Sequence, residues 1–505
     1  MDRDQTIKKI REAISTLGLD YEAAIEYIAQ DMGIGYLDAP ELLELAANHA
    51  GDTKSRELYN AEALHSMNAE TVFVAIREID ARAIETVITM EAIPGAVAIG
   101  LNRTSNAKTL LAELDLGITR TVVLTLDAAH SAAARKILRE GLQQFNVPFV
   151  CADISSGYAT PQEAFEKDRS HFFEDVKAAY ERTARPDNTT DYITNFIVED
   201  IAAFKSNRVK TGFDNLDEKG GGLYPGLYVL AATSSLGKTT FALQLADQIA
   251  ERGNDVVFFS LEQSRLELVT KSLARITSEL HPDKSLTSLS IRRGAITDPI
   301  AQEAYSEYVR RIGNRITIVE GNFNCTSAHV GRYLKRYIER TGARPVVFVD
   351  YLQILRPEQN DKRGGTKENV DDIITEMKRI SRDLNITIVL ISSVNRASYL
   401  FPISFESLKE TGSIEYTADV VWGLQLQCMH DELFSQEKKI VERREKIDEE
   451  QARNPRRIEI HCLKNRYGIK DYRCFFNYYP ANDLYSEREE LEYALPQTSK
   501  TGRKF

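Results

Sequence analysis

The feature that most constrains this chain is an apolar stretch that leads through a small-residue loop into an amphipathic helix, over 227–242. The loop ends in Gly237, Lys238 and Thr239. A loop between a buried strand and a helix can surround an anion with backbone N–H groups and the helix N-terminus. A Gly-Lys-Thr that occurs by chance is not expected to lie in this strand–loop–helix context. We therefore predict a nucleoside triphosphate site in a parallel α/β fold.

The predicted site takes ATP or another nucleoside triphosphate together with Mg²⁺. Lys238 is expected to reach the β- and γ-phosphates, and the Thr239 hydroxyl to ligate Mg²⁺. The motif usually begins with glycine, but Ala232 occupies that position here. The residues expected to contact the nucleotide from this loop are Ser234, Ser235, Gly237, Lys238, Thr239 and Thr240.

Two further predicted strands end in acids that the same reaction needs. The strand from Asp255 leads to Glu262, and the strand from Pro345 ends in Asp350. Ligands of open α/β folds bind at the carboxyl ends of the strands, so both acids are expected beside the phosphate loop. A lone acid there is usually a solvated strand end, but lysine, glutamate and aspartate at three strand ends are harder to explain that way. We expect Glu262 to orient the attacking water and Asp350 to hold Mg²⁺ through water.

The net charge of −11 restricts how the chain could bind nucleic acid. A uniformly acidic surface repels phosphate, so any contact with DNA must come from local basic loops, as in a central channel. The five cysteines are scattered without a Cys-x-x-Cys pair, which excludes a disulfide framework and a zinc ribbon. No apolar run reaches the roughly 18 residues of a membrane span. We expect a protein of the cytoplasm of a bacterial or phage-infected cell, without a membrane partner.

The order of strands and helices predicts two α/β regions. In the first, strands from Thr71, Ala96, Thr121 and Val147 alternate with helices, as in a small doubly wound domain. A single charged helix is expected over 161–183, an isolated linker helix over 191–204 and an exposed charged insertion over 436–457. The predicted divisions are a helical N-terminal segment at 1–53, a small α/β domain at 54–170, linker helices at 171–207, an ATPase domain at 208–490 and a tail at 491–505.

Blocks from about Thr211 to Tyr479 occur in an order that resembles the DnaB-type replicative helicase motor. The resemblance implies a RecA-like P-loop fold and a ring, typically a hexamer, with ATP bound between subunits. The alanine at position 232 is itself usual in that family. Besides the phosphate loop, the blocks are Thr211-Gly-Phe-Asp-Asn-Leu-Asp, Gly222-Leu-Tyr-Pro-Gly, Phe259-Ser-Leu-Glu, Asp350-Tyr-Leu-Gln, Ser393-Val-Asn-Arg, Leu408-Lys-Glu-Thr-Gly-Ser-Ile-Glu-Tyr-Thr-Ala-Asp and Lys464-Asn-Arg-Tyr-Gly.

The resemblance also assigns roles to three further residues. Lys464 and Arg466 match the pair that reaches into the neighbouring subunit's site, with Arg466 as the arginine finger. Without the other blocks, the two would be read as surface cations on an edge strand. Ser393 stands where the family commonly has a glutamine that senses the γ-phosphate, and a shorter serine implies a weaker or water-mediated contact. The catalytic residues are thus expected to be Glu262, Lys238, Arg466 and Lys464.

Two loops are expected to contact DNA without reading its bases, since glycines, backbone N–H groups and a few cations suffice to grip phosphate. One follows the Asp350 strand, and the other matches the family's DNA-binding loop. A solvated polar loop is the alternative for the first of them. The residues are Arg356, Lys362, Arg363 and Lys367 in the first loop, and Lys409, Glu410 and Gly412 in the second.

The front half resembles, more weakly, the Toprim region of bacterial and phage primases over about residues 54–165. Toprim chemistry holds magnesium with a first-strand glutamate and later aspartates, but Ile76-Arg77 replaces the usual Glu-Gly and Ala129 replaces the second acid of the Asp-x-Asp pair. Isoleucine cannot bind magnesium, so we expect a degenerate domain that has lost primer synthesis. The acids that remain are Glu78, Asp80 and Asp127.

The expected fold class is therefore α/β: a C-terminal RecA-like ATPase domain preceded by a Toprim-like domain and a helical N-terminal segment. The leading functional hypothesis is a homohexameric ring helicase that translocates 5′-to-3′ on single-stranded and forked DNA. A primase, a polymerase or a helicase loader are candidate partners. Two alternatives stay open: an active primase–helicase, and a RecA-like DNA-dependent ATPase that does not unwind.

Overall fold

A computed structural model of the chain has two compact units, Met1–Ala202 and Ala203–Phe505. No helix in the part of the chain that the structure describes is long and apolar enough to cross a membrane. The described residues are 57–114, 120–125, 131–155, 157–186, 188–233, 235–321, 325–350, 352, 355–356, 366–395, 398–408, 413–435 and 439–489, the side chains of 366–368 and 435 excepted.

The first unit contains a four-stranded parallel sheet in the order β2-β1-β3-β4. Its central strand is buried along its whole length, which suits a run of Val, Phe and Ala with helices on both faces. The predicted strands are present and the alternating β/α order is confirmed. The elements are β1 (Thr71–Ala75), α1 (Glu78–Met90), β2 (Ala96–Gly100), α2 (Asn106–Glu113), β3 (Thr121–Leu124), α3 (Ala132–Gln144) and β4 (Phe149–Cys151).

The single helix expected over 161–183 is wrong, because the structure has α4 (Pro161–Lys167) and α5 (Arg169–Arg182) there. Asp168 separates them with a non-helical backbone, and its carboxylate accepts the backbone N–H of His171. An aspartate that satisfies a free N–H at a helix start favours a new helix over a continued one. A charged pattern alone does not distinguish the two.

The isolated linker helix expected over 191–204 is also two helices, α6 (Thr189–Asn195) and α7 (Ile197–Ser206). They are separated by Phe196, whose side chain is buried. Its ring lies 6.0 Å from that of Phe149 and 4.1 Å from the guanidinium carbon of Arg139, both in the first unit. This part of the predicted linker therefore packs on the first unit, and burial of one aromatic ring outweighs the continuous helical pattern.

The second unit contains a nine-stranded sheet in the order β13-β12-β11-β10-β5-β9-β8-β6-β7. From β10 to β7 neighbouring strands are parallel, and β11, β12 and β13 extend the sheet antiparallel. The strands are β5 (Gly226–Ala232), β6 (Val256–Ser260), β7 (Ile316–Glu320), β8 (Val346–Asp350), β9 (Thr387–Ser393), β10 (Val420–Leu426), β11 (Arg456–Asn465), β12 (Arg473–Tyr479) and β13 (Leu484–Arg488).

Apolar cores lie on both faces of this sheet, as alternate residues of β5 show: Tyr228 and Leu230 belong to one core, and Leu227 and Val229 to the other. The strands are therefore covered on both sides, which is typical of parallel sheets. The helices are α8 (Asp214–Gly220), α9 (Lys238–Glu251), α10 (Arg265–Leu280), α11 (Ser288–Arg292), α12 (Pro299–Ile312), α13 (Ser327–Thr341), α14 (Thr366–Asp383), α15 (Ser413–Thr417), α16 (Glu432–Ser435) and α17 (Ile440–Ala452).

The insertion expected over 436–457 is mostly exposed in its described part, as predicted, but three of its residues are buried. It forms α17 and the start of β11, and the Arg443 side chain is among the largest that are fully buried. The Arg443 guanidinium donates to the carbonyl of Leu433 at 3.1 Å and lies 4.9 Å from the ring centroid of Phe401. An arginine can be buried in this way when carbonyls and aromatic faces replace its water.

Candidate nucleotide site

The phosphate loop connects β5 to α9, as the sequence predicts. Ser235 and Gly237 have φ values of 67° and 76°, in the left-handed region. A Cβ atom on Gly237 would lie 2.7 Å from the ring of Tyr478, so both the backbone conformation and the space require glycine. Arg456 donates to the carbonyl of Ser235 at 2.9 Å. Ser234, also predicted to bind nucleotide, lies outside the described residues.

The antiparallel strands β12 and β13 support this loop through residues that the sequence analysis did not identify. The Tyr485 hydroxyl donates to the carbonyl of Leu236, and its ring stacks on Tyr478 with centroids 4.4 Å apart. Gln244 of α9 exchanges two hydrogen bonds of 2.8 Å with the backbone of Tyr485. The loop is thus held by residues about 240 positions away in sequence, a separation that no local pattern reveals.

Thr240, predicted to contact the nucleotide, directs its side chain elsewhere. Its hydroxyl donates to Asp483 at 3.0 Å and receives a hydrogen bond of 3.2 Å from the Lys271 ammonium. Lys271 also pairs with Asp483 at 2.6 Å. The side chain of Thr240 therefore belongs to a buried network that fastens α9 to the turn before β13.

Lys238, Thr239, Asp350 and Ser393 meet at the carboxyl ends of three parallel strands. The Lys238 ammonium donates to the Ser393 hydroxyl at 2.6 Å, and the Thr239 hydroxyl donates to Asp350 Oδ2 at 2.6 Å. Ala232 and Ser393 are paired at the ends of β5 and β9. The sheet therefore brings together four of the residues that were predicted from separate segments of sequence.

Asp350 is fully buried, and its Oδ1 is a buried oxygen with no hydrogen-bond partner in the described structure. Burial raises the pKa of this carboxyl to about 6, and Thr239 and Lys238 oppose that rise. A hard cation such as Mg²⁺ binds through one or two carboxylates together with substrate phosphates, so an unsatisfied carboxylate oxygen beside a phosphate loop fits it. Within the described ranges, no three His, Cys, Asp or Glu side chains form a metal cluster of their own.

Glu262 lies at the same edge of the sheet. It follows β6 by two residues, and the last residue of that strand, Ser260, pairs with Asp350 of β8. Between them, Leu261 donates its backbone N–H to the carbonyl of Asp350 at 2.8 Å. Glu262 is exposed, so its carboxylate is accessible from solvent at the edge that carries Asp350.

Arg466 and Lys464 lie at the opposite end of the sheet from the phosphate loop. Arg466 donates to Asp419 Oδ1 at 3.2 Å, and the other oxygen of Asp419 accepts the backbone N–H of Leu227 at 2.8 Å. Leu227 is near the amino end of β5, and the phosphate loop follows the carboxyl end. From Leu227 to Ala232 the strand is roughly 17 Å long at about 3.3 Å per residue. No side chain spans that distance, so Arg466 cannot reach Lys238 of the same chain.

The predicted DNA-contacting residues are mostly beyond what the structure describes. Arg356 is exposed, and its backbone pairs with that of Cys325 and Ser327 at the start of α13. Lys367 lies in α14, where its side chain is not described. The rest lie outside the described residues: Lys362, Arg363, Lys409, Glu410 and Gly412.

Two of the acids left from the Toprim-like pattern are bound by arginines. Arg77 forms two hydrogen bonds of 2.7 Å with Asp80, which also accepts the backbone N–H of Gln162 at 3.1 Å. Glu78 accepts two hydrogen bonds from Arg82. Asp127 lies outside the described residues. The two described acids thus have cationic partners from their own helix and its cap.

Several curated proteins are similar to part of this chain. The replicative DNA helicase DnaB of Pasteurella multocida is 28% identical over 232 residues, which cover 44% of this chain and 47% of that protein. DnaB of Haemophilus influenzae is 29% identical over 221 residues, covering 42% and 45%. The chain spans about half the length of the curated relatives it matches.

Among solved structures, the ATPase domain of G40P aligns with a TM-score of 0.48 and 21% identity, covering 60% of this chain and 100% of that one. The model of the DnaB-like helicase C-terminal domain matches residues 208–478. That range contains the phosphate loop, the strand ends with Glu262 and Asp350, and the Lys464–Arg466 segment. It is more than half of the chain. The chain belongs to the family of proteins that carry a DnaB-like helicase C-terminal domain.

Proposed function

We propose that this protein is an ATP-hydrolysing replicative DNA helicase that forms a ring, typically a hexamer, and translocates 5′-to-3′ on single-stranded DNA. The observation that carries the proposal is the meeting of Lys238, Thr239, Asp350 and Ser393 at one sheet edge, within the residues that match the helicase family. A lysine and a helix N-terminus suit a triphosphate, and the acids at the same edge suit its hydrolysis.

Within this site, Thr239 and Asp350 would hold Mg²⁺, the latter through water. Held there, Mg²⁺ would neutralise negative charge on the phosphates. Lys238 binds the phosphates, and Ser393 orients the Lys238 ammonium at 2.6 Å. Glu262 orients the attacking water from the exposed edge of the sheet.

The separation of Arg466 from Lys238 supports a site completed by a second subunit. If the amino end of β5 in one subunit faces the phosphate loop of the next, Arg466 of the first subunit supplies a further cation to the phosphate site of the second. Such a contact joins two different surfaces of the same chain, and repeated around an axis it closes into a ring. Lys464 lies on the same strand end and would enter the neighbouring site with Arg466.

DNA would pass through the ring and be gripped by phosphate contacts that do not depend on sequence. The acidic overall charge supports this arrangement, because a channel isolates local cations from the rest of the surface. The contacts are proposed from the loop containing Arg356, Lys362, Arg363 and Lys367 and from the loop containing Lys409, Glu410 and Gly412.

For the front unit we propose a degenerate Toprim-like domain without primer synthesis. A four-stranded parallel sheet with helices on both faces is compatible with that resemblance. Ile76 replaces a metal-binding carboxylate, and the ion pair between Arg77 and Asp80 occupies one of the acids that remain. Carboxylates paired with arginine are poorly suited to hold two magnesium ions. A primase and a helicase loader are candidate partners of such a unit.

Replacing Asp350 separates its proposed metal role from its effect on the fold. Because burial raises the pKa of Asp350 to about 6, its ionised form lowers the native stability at neutral pH. That cost is present above pH of about 6 and is relieved as the pH falls toward 3.8. Asp350→Asn keeps an acceptor for Thr239 without the charge. We expect it to stabilise the nucleotide-free protein by on the order of 1–3 kcal/mol and to remove the Mg²⁺-dependent part of thermal stabilisation by ATP.

Thermal melts at pH 7.5 with ATP, with and without Mg²⁺, would measure both effects. Asp255→Asn is the matched control, because Asp255 precedes β6 at the opposite edge of the sheet and accepts a hydrogen bond from Tyr337. An Asp350→Asn protein with the same Mg²⁺-dependent shift as the wild type would exclude this carboxylate as a metal ligand.

Strand release from forked DNA tests the proposed function directly. We expect ATP-dependent release when the fork has a free 5′ tail, little release with a 3′ tail alone, and none with the Lys238→Ala protein. Labelled ribonucleotides in the same reactions should yield no primer. ATP hydrolysis without strand release on any fork would instead identify a DNA-dependent ATPase, and a labelled primer would contradict the degenerate front unit.

A further inference from the structure

Asp419, between α15 and β10, connects three parts of the second unit. It is buried, and its backbone N–H donates to the carbonyl of Leu227 at 2.8 Å. Its Oδ2 accepts the Leu227 N–H at 2.8 Å and the Lys378 ammonium at 2.5 Å. Its Oδ1 is the atom that Arg466 contacts. The carboxylate is therefore fixed to the amino end of β5 on one side and to a candidate arginine finger on the other.

The first residue of β5 is adapted to this carboxylate. A Cβ atom on Gly226 would lie 2.1 Å from the Tyr467 hydroxyl and 2.7 Å from Asp419 Oδ2, so any larger residue would displace the tyrosine, the carboxylate or both. The Tyr467 hydroxyl donates to the carbonyl of Pro225 at 2.8 Å, which holds the residue after Arg466 against the same strand end. The strand end, the carboxylate and the arginine segment thus form one packed unit.

Arg466 is held at two points of its guanidinium and remains half exposed. Nη1 donates to Asp419 Oδ1 at 3.2 Å and Nη2 donates to the carbonyl of Tyr416 at 2.9 Å, while 49% of the side chain stays accessible. Its backbone N–H also donates to the carbonyl of Asp419 at 3.0 Å. An arginine side chain loses rotamer entropy when it is fixed. Fixing it in the free subunit removes much of that cost from the moment of reaction.

Lys464 is held by the same segment. Its ammonium donates to the carbonyls of Glu415 and Tyr416. Burial and the nearby Arg466 lower the pKa of Lys464. Both cations of the pair therefore contact the end of α15, but among the described residues only Arg466 has a carboxylate within hydrogen-bond distance.

We propose that Asp419 is a positioning residue, which sets the Arg466 guanidinium at the subunit surface so that it can enter the phosphate site of the adjoining subunit. The inference rests on the proposed function, since it presumes a site completed between subunits. The alternative is a buried ion pair that only stabilises the fold. A structural pair would change stability, whereas a positioning residue changes turnover of the folded protein and acts only through Arg466.

The test is Asp419→Asn in the full-length protein. Asparagine keeps an oxygen acceptor for the Leu227 N–H but loses the charge that orients Arg466. We expect the maximal rate of ATP hydrolysis to fall about 10-fold to 100-fold, the cost of a finger misplaced by about 1 Å, and the KM for ATP to change less than about twofold. In the Arg466→Ala background the same substitution should lower the residual rate no further, because its effect passes through the missing guanidinium.

Asp247→Asn is the matched control. Asp247 is a buried carboxylate of the second unit that pairs with Arg275 and accepts a hydrogen bond of 2.6 Å from Ser272, away from the finger. Both asparagine variants should lower the melting temperature, but only Asp419→Asn should lower turnover. Should Asp419→Asn fail to assemble, Arg466→Lys tests the same point, because an ammonium lacks the planar fork that presents separate nitrogens to Asp419 and to the Tyr416 carbonyl. Its rate should fall at least about 10-fold.

Wild-type turnover in Asp419→Asn or in Arg466→Lys would overturn the inference, as would an equal loss from Asp419→Asn with and without Arg466. If Arg466→Ala loses turnover and Asp419→Asn does not, the positioning role fails while the site between subunits stands. If Arg466→Ala itself keeps wild-type turnover, the proposed site between subunits fails first, and the role of Asp419 fails with it.

Discussion

Arg466→Ala is expected to reduce ATP turnover about 10³-fold to 10⁵-fold, the range typical of a lost arginine finger. Arg466 lies at the amino end of β5 and is half exposed, so its removal leaves the phosphate loop of its own subunit intact. Binding of ATP should therefore change little, as measured by fluorescence titration with a nucleotide analogue. A rate and an affinity that fall together would indicate that Arg466 stabilises the bound nucleotide rather than the transition state.

Arg473→Ala is a suitable control for this result. Arg473 begins β12 and pairs with His461 of β11 in the sheet, so it is a cation of the same antiparallel region. It has no proposed role in the site, and its loss should leave turnover within about twofold, as for most surface substitutions. A comparable loss of turnover in Arg473→Ala would show that the effect of Arg466→Ala comes from disturbing the antiparallel strands rather than from removing the finger.

Lys238→Ala is expected to reduce turnover about 10²-fold to 10³-fold, as the loss of one preorganised donor to developing charge does. It should also weaken ATP binding, since Lys238 contacts phosphate in the ground state. Ser393 would lose its partner at the same time. The measurements are the steady-state rate of ATP hydrolysis and a nucleotide titration. Lys210→Ala is the control, because Lys210 precedes β5 and has no proposed role in the site. Unchanged affinity for ATP and an unchanged rate of hydrolysis in Lys238→Ala would show that the phosphate loop takes no part in the reaction.

The strand ends were the part of the site that sequence could predict. Lys238, Glu262 and Asp350 each follow an apolar run, and the carboxyl ends of parallel strands meet at one edge. Their convergence therefore needs only the β/α order. Tyr485 of β13 and Asp483 of the turn before it support the same loop and α9, but they come from the antiparallel part of the sheet. Nothing in the sequence around these two residues predicts that they contact α9.

The errors in the helices have a common physical cause. At Asp168 a side-chain cap and at Phe196 a buried ring each interrupt a pattern that is otherwise helical. Arg443, read as a solvated charge, is buried among carbonyls and aromatic rings. Local periodicity describes the structure that a segment could form alone. The backbone conformation or burial of these three residues is instead determined by their contacts with other side chains and backbone groups.

The role of Arg466 as a finger was inferred from resemblance and stays a prediction, which its position in the fold supports. The sequence places Arg466 after a predicted strand but does not say at which end of the sheet it falls. The contacts of Asp419 with Leu227 and Arg466 fix it at the amino end of β5. A proposed finger at one end of the sheet and a phosphate loop at the other favour head-to-tail assembly, which is our central proposal.

Mixing two inactive variants tests that claim most directly. Lys238→Ala subunits carry an intact finger and Arg466→Ala subunits carry an intact phosphate loop, so only a junction between the two kinds contains both. When the variants are dissociated, mixed in equal amounts and reassembled, we predict that ATP hydrolysis reappears, at roughly a quarter of the wild-type rate if subunits assort at random and junctions act independently. Mixed rings that remain as inactive as either variant alone would contradict a site shared between subunits.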